Sequence, residues 1–188
     1  MPLTTPRAFA CLALGLAAAL SLPTWAQKVR LTTSQGDIVL QLDAEKAPKT
    51  VANFVQYVQA GQYNGTIFHR VIDGFMIQGG GFSADMAERP TRAPIALESG
   101  KGLSNLTGTV AMARTNAPNS ATSQFFINVA DNLRLDGSGE GTGYAVFGKL
   151  VEGQDVVDRI RAVPTGNKGG HQNVPQQPVT IQKATLEK

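Results

Sequence analysis

The chain has 188 residues and a formal net charge of +3, from 17 basic and 14 acidic side chains. Such a small positive excess, without a cluster of lysine or arginine, argues against a nucleic-acid-binding protein. One cysteine cannot form a disulfide within the chain, and two histidines far apart in sequence do not indicate a metal site, so no cofactor is expected.

The amino-terminal 26 residues differ in composition from the rest. Arg7 is their only charge, residues 9–22 are nearly all small or apolar, and Ala26 ends the segment with a small side chain. This order is typical of a secretory signal peptide, and the apolar run is shorter than the ~20 residues of a membrane-spanning helix. We expect cleavage after Ala26, which leaves a single exported domain over 27–188 with no membrane attachment. The alternative is an uncleaved anchor.

Two runs near the start of this domain, 29–33 and 38–42, alternate apolar with polar residues on either side of a turn. A period of two predicts a β-hairpin that opens a sheet. Over 48–60, a first-position proline precedes apolar residues at helical spacing, which predicts an amphipathic helix. A second, shorter helix is predicted over 153–162.

The rest of the chain consists of short apolar segments bounded by glycine, proline and asparagine. Further strands are expected at 66–71, 74–80, 94–98, 108–113, 124–129, 144–149 and 178–186. The segments predicted to be loops are 99–107, 114–122, 131–143 and 164–177. Many short strands with only two helices predict a mainly β fold, a closed antiparallel barrel whose open ends the helices cover.

One motif places a permanent charge inside an apolar run. Residues 68–81 read FHRVIDGFMIQGGG, and Arg70 stands there among phenylalanine, valine, isoleucine and methionine. A guanidinium is rarely buried alone, so Arg70 either pairs with a structural carboxylate or has a functional role. A second motif, SQFFINVA at 123–130, adds two phenylalanines. Together the motifs predict an apolar pocket with one fixed cation at its edge.

These two motifs, with GTVAMAR at 108–114 and VFGKLVEG at 146–153, resemble in order and spacing the cyclophilins, a family of peptidyl-prolyl cis–trans isomerases. The chain looks most like their exported, periplasmic bacterial branch. The resemblance implies a closed eight-stranded antiparallel barrel capped by two helices. It also implies a periplasmic enzyme that speeds rotation about X–Pro bonds and assists the folding of exported proteins. Its partners would be proline-containing polypeptides and unfolded exported proteins, and a monomer is expected.

The resemblance also assigns roles to individual residues. Arg70 takes the place of the catalytic arginine, and Phe68 matches a position beneath the site. The substrate-binding positions, apolar around the proline ring and polar beside it, are Phe75, Met76, Gln78, Ala113, Arg114, Gln124, Phe126, Leu135 and Tyr144. Two rim positions depart from the common family pattern, since Arg134 stands where many members have tryptophan and Tyr144 where many have histidine.

Strand geometry separates the two adjacent phenylalanines of the second motif. Neighbouring residues of a strand point to opposite faces, so Phe125 and Phe126 cannot both line one pocket. The resemblance selects Phe126 for the pocket and leaves Phe125 for the barrel core.

Two other functions remain open from the residues. One is a binding module that holds proline-containing segments as a chaperone, with turnover incidental. The other is a barrel that carries a small apolar ligand, although so small a barrel should be filled by its own side chains.

Overall fold

The computed structural model describes residues 27–139 and 141–187, so the predicted signal peptide lies outside the described residues. Eight strands of this part build the barrel: β1 (Lys28–Thr33), β2 (Gly36–Leu42), β3 (Thr66–Ile72), β4 (Met76–Ser83), β5 (Thr109–Met112), β6 (Phe125–Asn128), β7 (Val146–Glu152) and β10 (Thr180–Glu187). The remaining elements are helices α1 (Pro48–Gln59) and α2 (Gln154–Arg161), a 3₁₀ turn (Leu133–Leu135) and strands β8 (Thr165–Lys168) and β9 (His171–Pro175).

The barrel closes in the order β1-β10-β3-β4-β6-β5-β7-β2, and every neighbouring pair is antiparallel. This confirms the mainly β class, the closed eight-stranded barrel and the two helices. Within the described residues, no helix is long and apolar enough to cross a membrane.

The barrel interior is packed with large side chains. Phe54 of α1 reaches three of them, with ring centroids 5.1 Å from Tyr63, 5.4 Å from Phe125 and 5.0 Å from Phe147. All four rings are buried. A core of this kind, as expected for eight strands, does not favour the function of carrying a small apolar ligand.

The strand predicted at 94–98 is wrong. Its backbone makes one isolated bridge, between Ile95 and Ala121, and then leaves the sheet. The side chain of Glu98 turns instead to the first turn of α1, where its carboxylate accepts hydrogen bonds from the backbone N–H of Thr50 (2.8 Å), from the Thr50 hydroxyl (2.8 Å) and from the N–H of Lys49 (3.2 Å). A helix begins with unpaired N–H groups, so Glu98 supplies the cap that Ala47, at the N-cap position, does not provide.

The loop predicted at 164–177 is also wrong, because it contains the β8–β9 hairpin. The strands TGNK and HQNVP are too polar to show the alternation that reveals a half-buried strand. Gly169 and Gly170, both at positive φ, form the turn between these strands. A Gly-Gly pair is a sequence signal for a hairpin turn, and it was the signal available in this segment.

Candidate active site

The register of four strands places the predicted site residues in one row. Arg70 of β3 lies opposite Gln78 of β4, Gln78 lies opposite Phe126 of β6, and Phe126 lies opposite Ala111 of β5. Directly opposite residues share a face of the sheet. Phe125 belongs to the main core, whereas Phe126 and Ala111 belong to a separate apolar cluster, so the row lies on the outer face of the barrel.

A β-bulge turns Arg70 to that face. Phe68 pairs with Gly79 and Arg70 pairs with Gln78, so two steps along β3 match one step along β4. Residues i and i+2 of a regular strand share a face, but here Phe68 packs in the main core while Arg70 joins the outer row. His69 is the inserted residue, and it stands in the chain between a residue of the core and a residue of the site.

The outer row borders a cavity of about 110 Å³. Nine predicted site residues line it: Arg70, Phe75, Met76, Gln78, Ala113, Arg114, Phe126, Leu135 and Tyr144. Gln124, the tenth predicted site residue, does not line the cavity but accepts a hydrogen bond from Gln78. A larger groove of about 680 Å³ runs along β2 and β7, but no arginine and no aromatic residue lines it, so the smaller cavity is the candidate site.

Arg70 is held by a neutral amide. Its Nη1 donates to Oε1 of Gln78 at 3.3 Å, and Nε2 of Gln78 donates to Oε1 of Gln124 at 2.9 Å. Among the described residues, Arg70 forms no ion pair. Its Cζ also lies 6.0 Å from the centroid of the Phe75 ring. The guanidinium is thus positioned while its charge and most of its donors remain available.

Gly81 makes room for Gln124. A Cβ atom at Gly81 would lie 2.5 Å from Cγ and 2.6 Å from Cδ of Gln124, which is closer than atoms can pack. At the neighbouring Gly80, a Cβ would meet the rings of Tyr63 and Phe125. Gly81 therefore leaves room for the amide pair, whereas Gly80 lets the rings of the barrel core pack closely.

Arg114 differs from Arg70 because it is already bound. Its Nε donates to the carbonyl of Gly143 at 2.8 Å and its Nη1 to the carbonyl of Thr115 at 2.9 Å. The Arg114 Cζ also lies 4.7 Å from the centroid of the Tyr144 ring, and that ring packs edge-on against Phe126 at 5.6 Å. Arg114 therefore ties together the two loops that form one wall of the cavity.

A buried amide network that the sequence interpretation missed supports the opposite wall. Nδ2 of Asn132 donates to the carbonyl of Phe75 and to Oδ1 of Asn128, both at 2.8 Å. Asp136 Oδ1 accepts from the N–H (2.7 Å) and Nδ2 (2.8 Å) of Asn105, whose carbonyl in turn accepts from the N–H of Asn132. In the sequence, the only sign of this network was three asparagines in or near predicted strands. Their side-chain amides can form hydrogen bonds with one another only after the fold brings these segments together.

His69, the bulge residue, is buried without a complete set of partners. Among the described residues its Nδ1 has no hydrogen-bond partner, and its ring packs 4.7 Å from that of Phe82, which packs edge-on against His171 at 5.0 Å. Burial lowers the pKa of His69 to about 4, and the positive charges that His171 and Arg70 can carry add to this effect.

The lowered pKa of His69 predicts a loss of stability in mild acid. An unfolded histidine titrates near 6.5, so as the pH falls the unfolded state takes up the proton first. The contribution of His69 to the free energy of unfolding is therefore complete above pH 6.5. It is lost between pH 6.5 and pH 4, which lowers the free energy of unfolding by about 3 kcal/mol. Urea unfolding at about pH 7.5 and about pH 4 should show His69→Phe losing correspondingly less stability than the wild type. His171→Phe, at an exposed position, is the control and should keep most of the wild-type loss. Equal losses in wild type and His69→Phe would contradict the assignment.

The close contact at Gly81 generates a second prediction. Gly81→Ala should displace Gln124 and release the amide of Gln78. For the prolyl isomerisation that the family resemblance implies, kcat/KM should fall about fivefold, the effect of losing one hydrogen bond. Gly166→Ala is the matched control, because its nearest neighbour would lie at 4.0 Å. A folded Gly81→Ala protein with the activity of this control would show that the amide pair does not support catalysis.

Within the described residues, no group of three or more His, Cys, Asp or Glu side chains lies close enough to hold a metal ion.

Comparison with known proteins agrees with this geometry. Residues 28–186 match the family described as cyclophilin type peptidyl-prolyl cis–trans isomerase/CLD. The chain is 58% identical over 165 residues to peptidyl-prolyl cis–trans isomerase A of Dickeya dadantii, covering 88% of this chain and 87% of that protein. It is 55% identical over 161 residues to peptidyl-prolyl cis–trans isomerase B of Escherichia coli, covering 84% and 98%.

Solved structures show the same relationship. A cyclophilin type peptidyl-prolyl cis–trans isomerase of Cryptosporidium parvum superposes with a TM-score of 0.71 at 28% identity, over 87% of this chain and 99% of that one. A structure of that isomerase in the presence of the dipeptide Ala-Pro superposes with a TM-score of 0.70 at 29% identity, over 86% and 99%. The chain belongs to the cyclophilin family and is a peptidyl-prolyl cis–trans isomerase, whose substrates are proline-containing polypeptides.

Proposed function

We propose that Arg70 is the catalytic group of this isomerase, that the adjacent cavity holds the substrate's proline ring, and that the enzyme assists the folding of exported proteins. The observation that carries the proposal is a guanidinium at the edge of an apolar cavity, held by a neutral amide and without a carboxylate partner among the described residues.

The reaction requires a donor more than it requires a base or a nucleophile. Resonance in the X–Pro amide imposes a rotation barrier of about 18–20 kcal/mol. Conjugation is lost in the twisted state, and the lone pair of the proline nitrogen then becomes an acceptor. A donor placed at that nitrogen stabilises the twisted state and not the planar ones, which is the differential binding that raises a rate. Arg70 suits this role because its donors are rigid and permanently protonated.

The remaining residues hold the substrate while the amide turns. Met76 and Phe126 are buried at the base of the cavity, with Phe75 and Leu135 partly buried around it. Aromatic and thioether side chains can hold a small apolar ring without demanding hydrogen bonds from it. Gln78 orients Arg70, and a neutral amide does so without neutralising the cation.

Export is supported by the sequence that precedes the barrel. The signal-peptide pattern ends at Ala26, just before β1 begins at Lys28 and the family match begins at residue 28. We infer cleavage after Ala26 and a periplasmic enzyme free of the membrane. We propose that the enzyme is a monomer, and the slight net charge does not favour nucleic acid as a partner.

Cleavage can be read directly from the exported protein. Expressed from its full reading frame in a Gram-negative host, it should appear in the periplasmic fraction with Gln27 as its first residue by intact-mass spectrometry. A substitution at the expected cleavage site, Ala26→Arg, should block processing. A full-length protein that starts at Met1 in the wild type would contradict the proposal and support the anchor.

The role of Arg70 is tested by its removal. Arg70→Ala should lower kcat/KM for exchange of an Ala-Pro peptide, measured by NMR, by about 100- to 1,000-fold, as expected when a donor to the transition state is lost. The matched control, Arg159→Ala, removes a guanidinium from an exposed position of α2 and should exchange the peptide at the wild-type rate. A folded Arg70→Ala protein with wild-type turnover would overturn the assignment. Peptide binding retained without turnover would distinguish an enzyme from a module that only holds proline segments.

A further inference from the structure

Two arginines, Arg70 and Arg114, line the cavity, and a third, Arg134, lies over the ring of Phe75, one of its lining residues. The three arginines differ in what they already bind. Arg70 donates to Gln78, and Arg114 donates to three backbone carbonyls. Arg134 makes neither a hydrogen bond nor an ion pair with any of the described residues. The Arg134 Cζ lies 4.8 Å from the centroid of the Phe75 ring. Arg134 is exposed, so it presents at the rim a cation that no described residue pairs with.

The carboxylates next to Arg134 in the chain are already occupied. Asp131 accepts from the N–H and the hydroxyl of Thr107, both at 2.8 Å, and these bonds lower the pKa of Asp131. Asp136 accepts twice from Asn105. No acidic residue lines the cavity itself. The positive charge around the cavity is therefore not balanced by the described residues that form it.

We propose that Arg134 is a specificity-determining residue that favours substrates with an acidic side chain within two positions of the proline. The inference rests on the proposed role of the cavity as the seat of the proline ring. With the ring there, the flanking residues must pass over its rim, and two extended residues span only about 7 Å. Arg134 lies over Phe75, a residue of that rim.

The contact with Phe75 strengthens the effect of the charge. A guanidinium stacked on an aromatic face is already oriented, so less side-chain entropy is lost when it binds a carboxylate. Arg70, whose Cζ lies 6.0 Å from the same ring, adds a second positive charge on that side of the cavity. A lysine next to the proline would meet two like charges there, which disfavours binding.

The experiment compares peptides that differ only in charge. Peptides that contain Ala-Pro would be assayed by NMR exchange with Glu, Ala or Lys at the position before the dipeptide or at either of the two positions after it, all of which lie within two positions of the proline. For the wild type, the ratio of kcat/KM for the best Glu peptide to that for its Lys counterpart should be about tenfold at low salt and should shrink as salt is added. In Arg134→Gln the ratio should fall to about threefold, and in Arg134→Lys most of it should return.

Lys183→Gln is the control. It removes one positive charge from an exposed position of β10 and should keep the wild-type ratio. A wild-type ratio near one, or a ratio unchanged in Arg134→Gln, would overturn this proposal while leaving catalysis of the Ala peptide intact. Failure of the wild type to exchange the Ala peptide would instead overturn the proposed function.

Discussion

The register of β3, β4 and β6 is the constraint on which the site depends. It places Arg70, Gln78 and Phe126 side by side on the outer face of the barrel. A one-residue shift of register would turn each of these side chains to the other face. The bulge at His69 is part of the same constraint, because it lets Phe68 fill the core while Arg70 faces the cavity. The packing that stabilises the barrel and the geometry that places its reactive group are therefore set by the same strand pairs.

Neutral partners around Arg70 explain how one side chain can serve as both a fixed and an available cation. The Gln78–Gln124 pair orients the guanidinium without a negative charge, and Gly81 leaves the space that this pair needs. Three other arginines of the described chain bind carboxylates: Arg30 binds Asp37, Glu152 and Glu187, Arg159 binds Asp155, and Arg161 binds Asp73 and Asp158. An ion pair of this kind fixes the position of the arginine side chain, but the carboxylate also neutralises the positive charge that would otherwise act on a substrate.

The sequence predicted those parts of the fold that have a simple period. Alternation assigned Phe125 and Phe126 to opposite faces, and helical spacing predicted α1 to within one residue of its observed end. Tertiary contacts decided the rest. The segment at 94–98 looks like a strand, yet Glu98 caps a helix that begins far away in sequence. The bulge at His69 and the amide network around Asn132 depend on how segments meet, which no local pattern shows. The site residues themselves were identified through a family resemblance, because an arginine such as Arg70, taken alone, is more often part of a structural ion pair than a catalytic group.

The central claim is that the guanidinium of Arg70 acts on the nitrogen of the substrate proline. The most direct measurement is the position of that nitrogen in a crystal structure of the chain bound to an Ala-Pro peptide. We expect the proline ring between Met76 and Phe126 and a nitrogen of Arg70 within hydrogen-bonding reach of the prolyl nitrogen, about 3.5 Å or less. A bound ring in the cavity with the guanidinium turned to solvent or paired with a carboxylate would contradict the account.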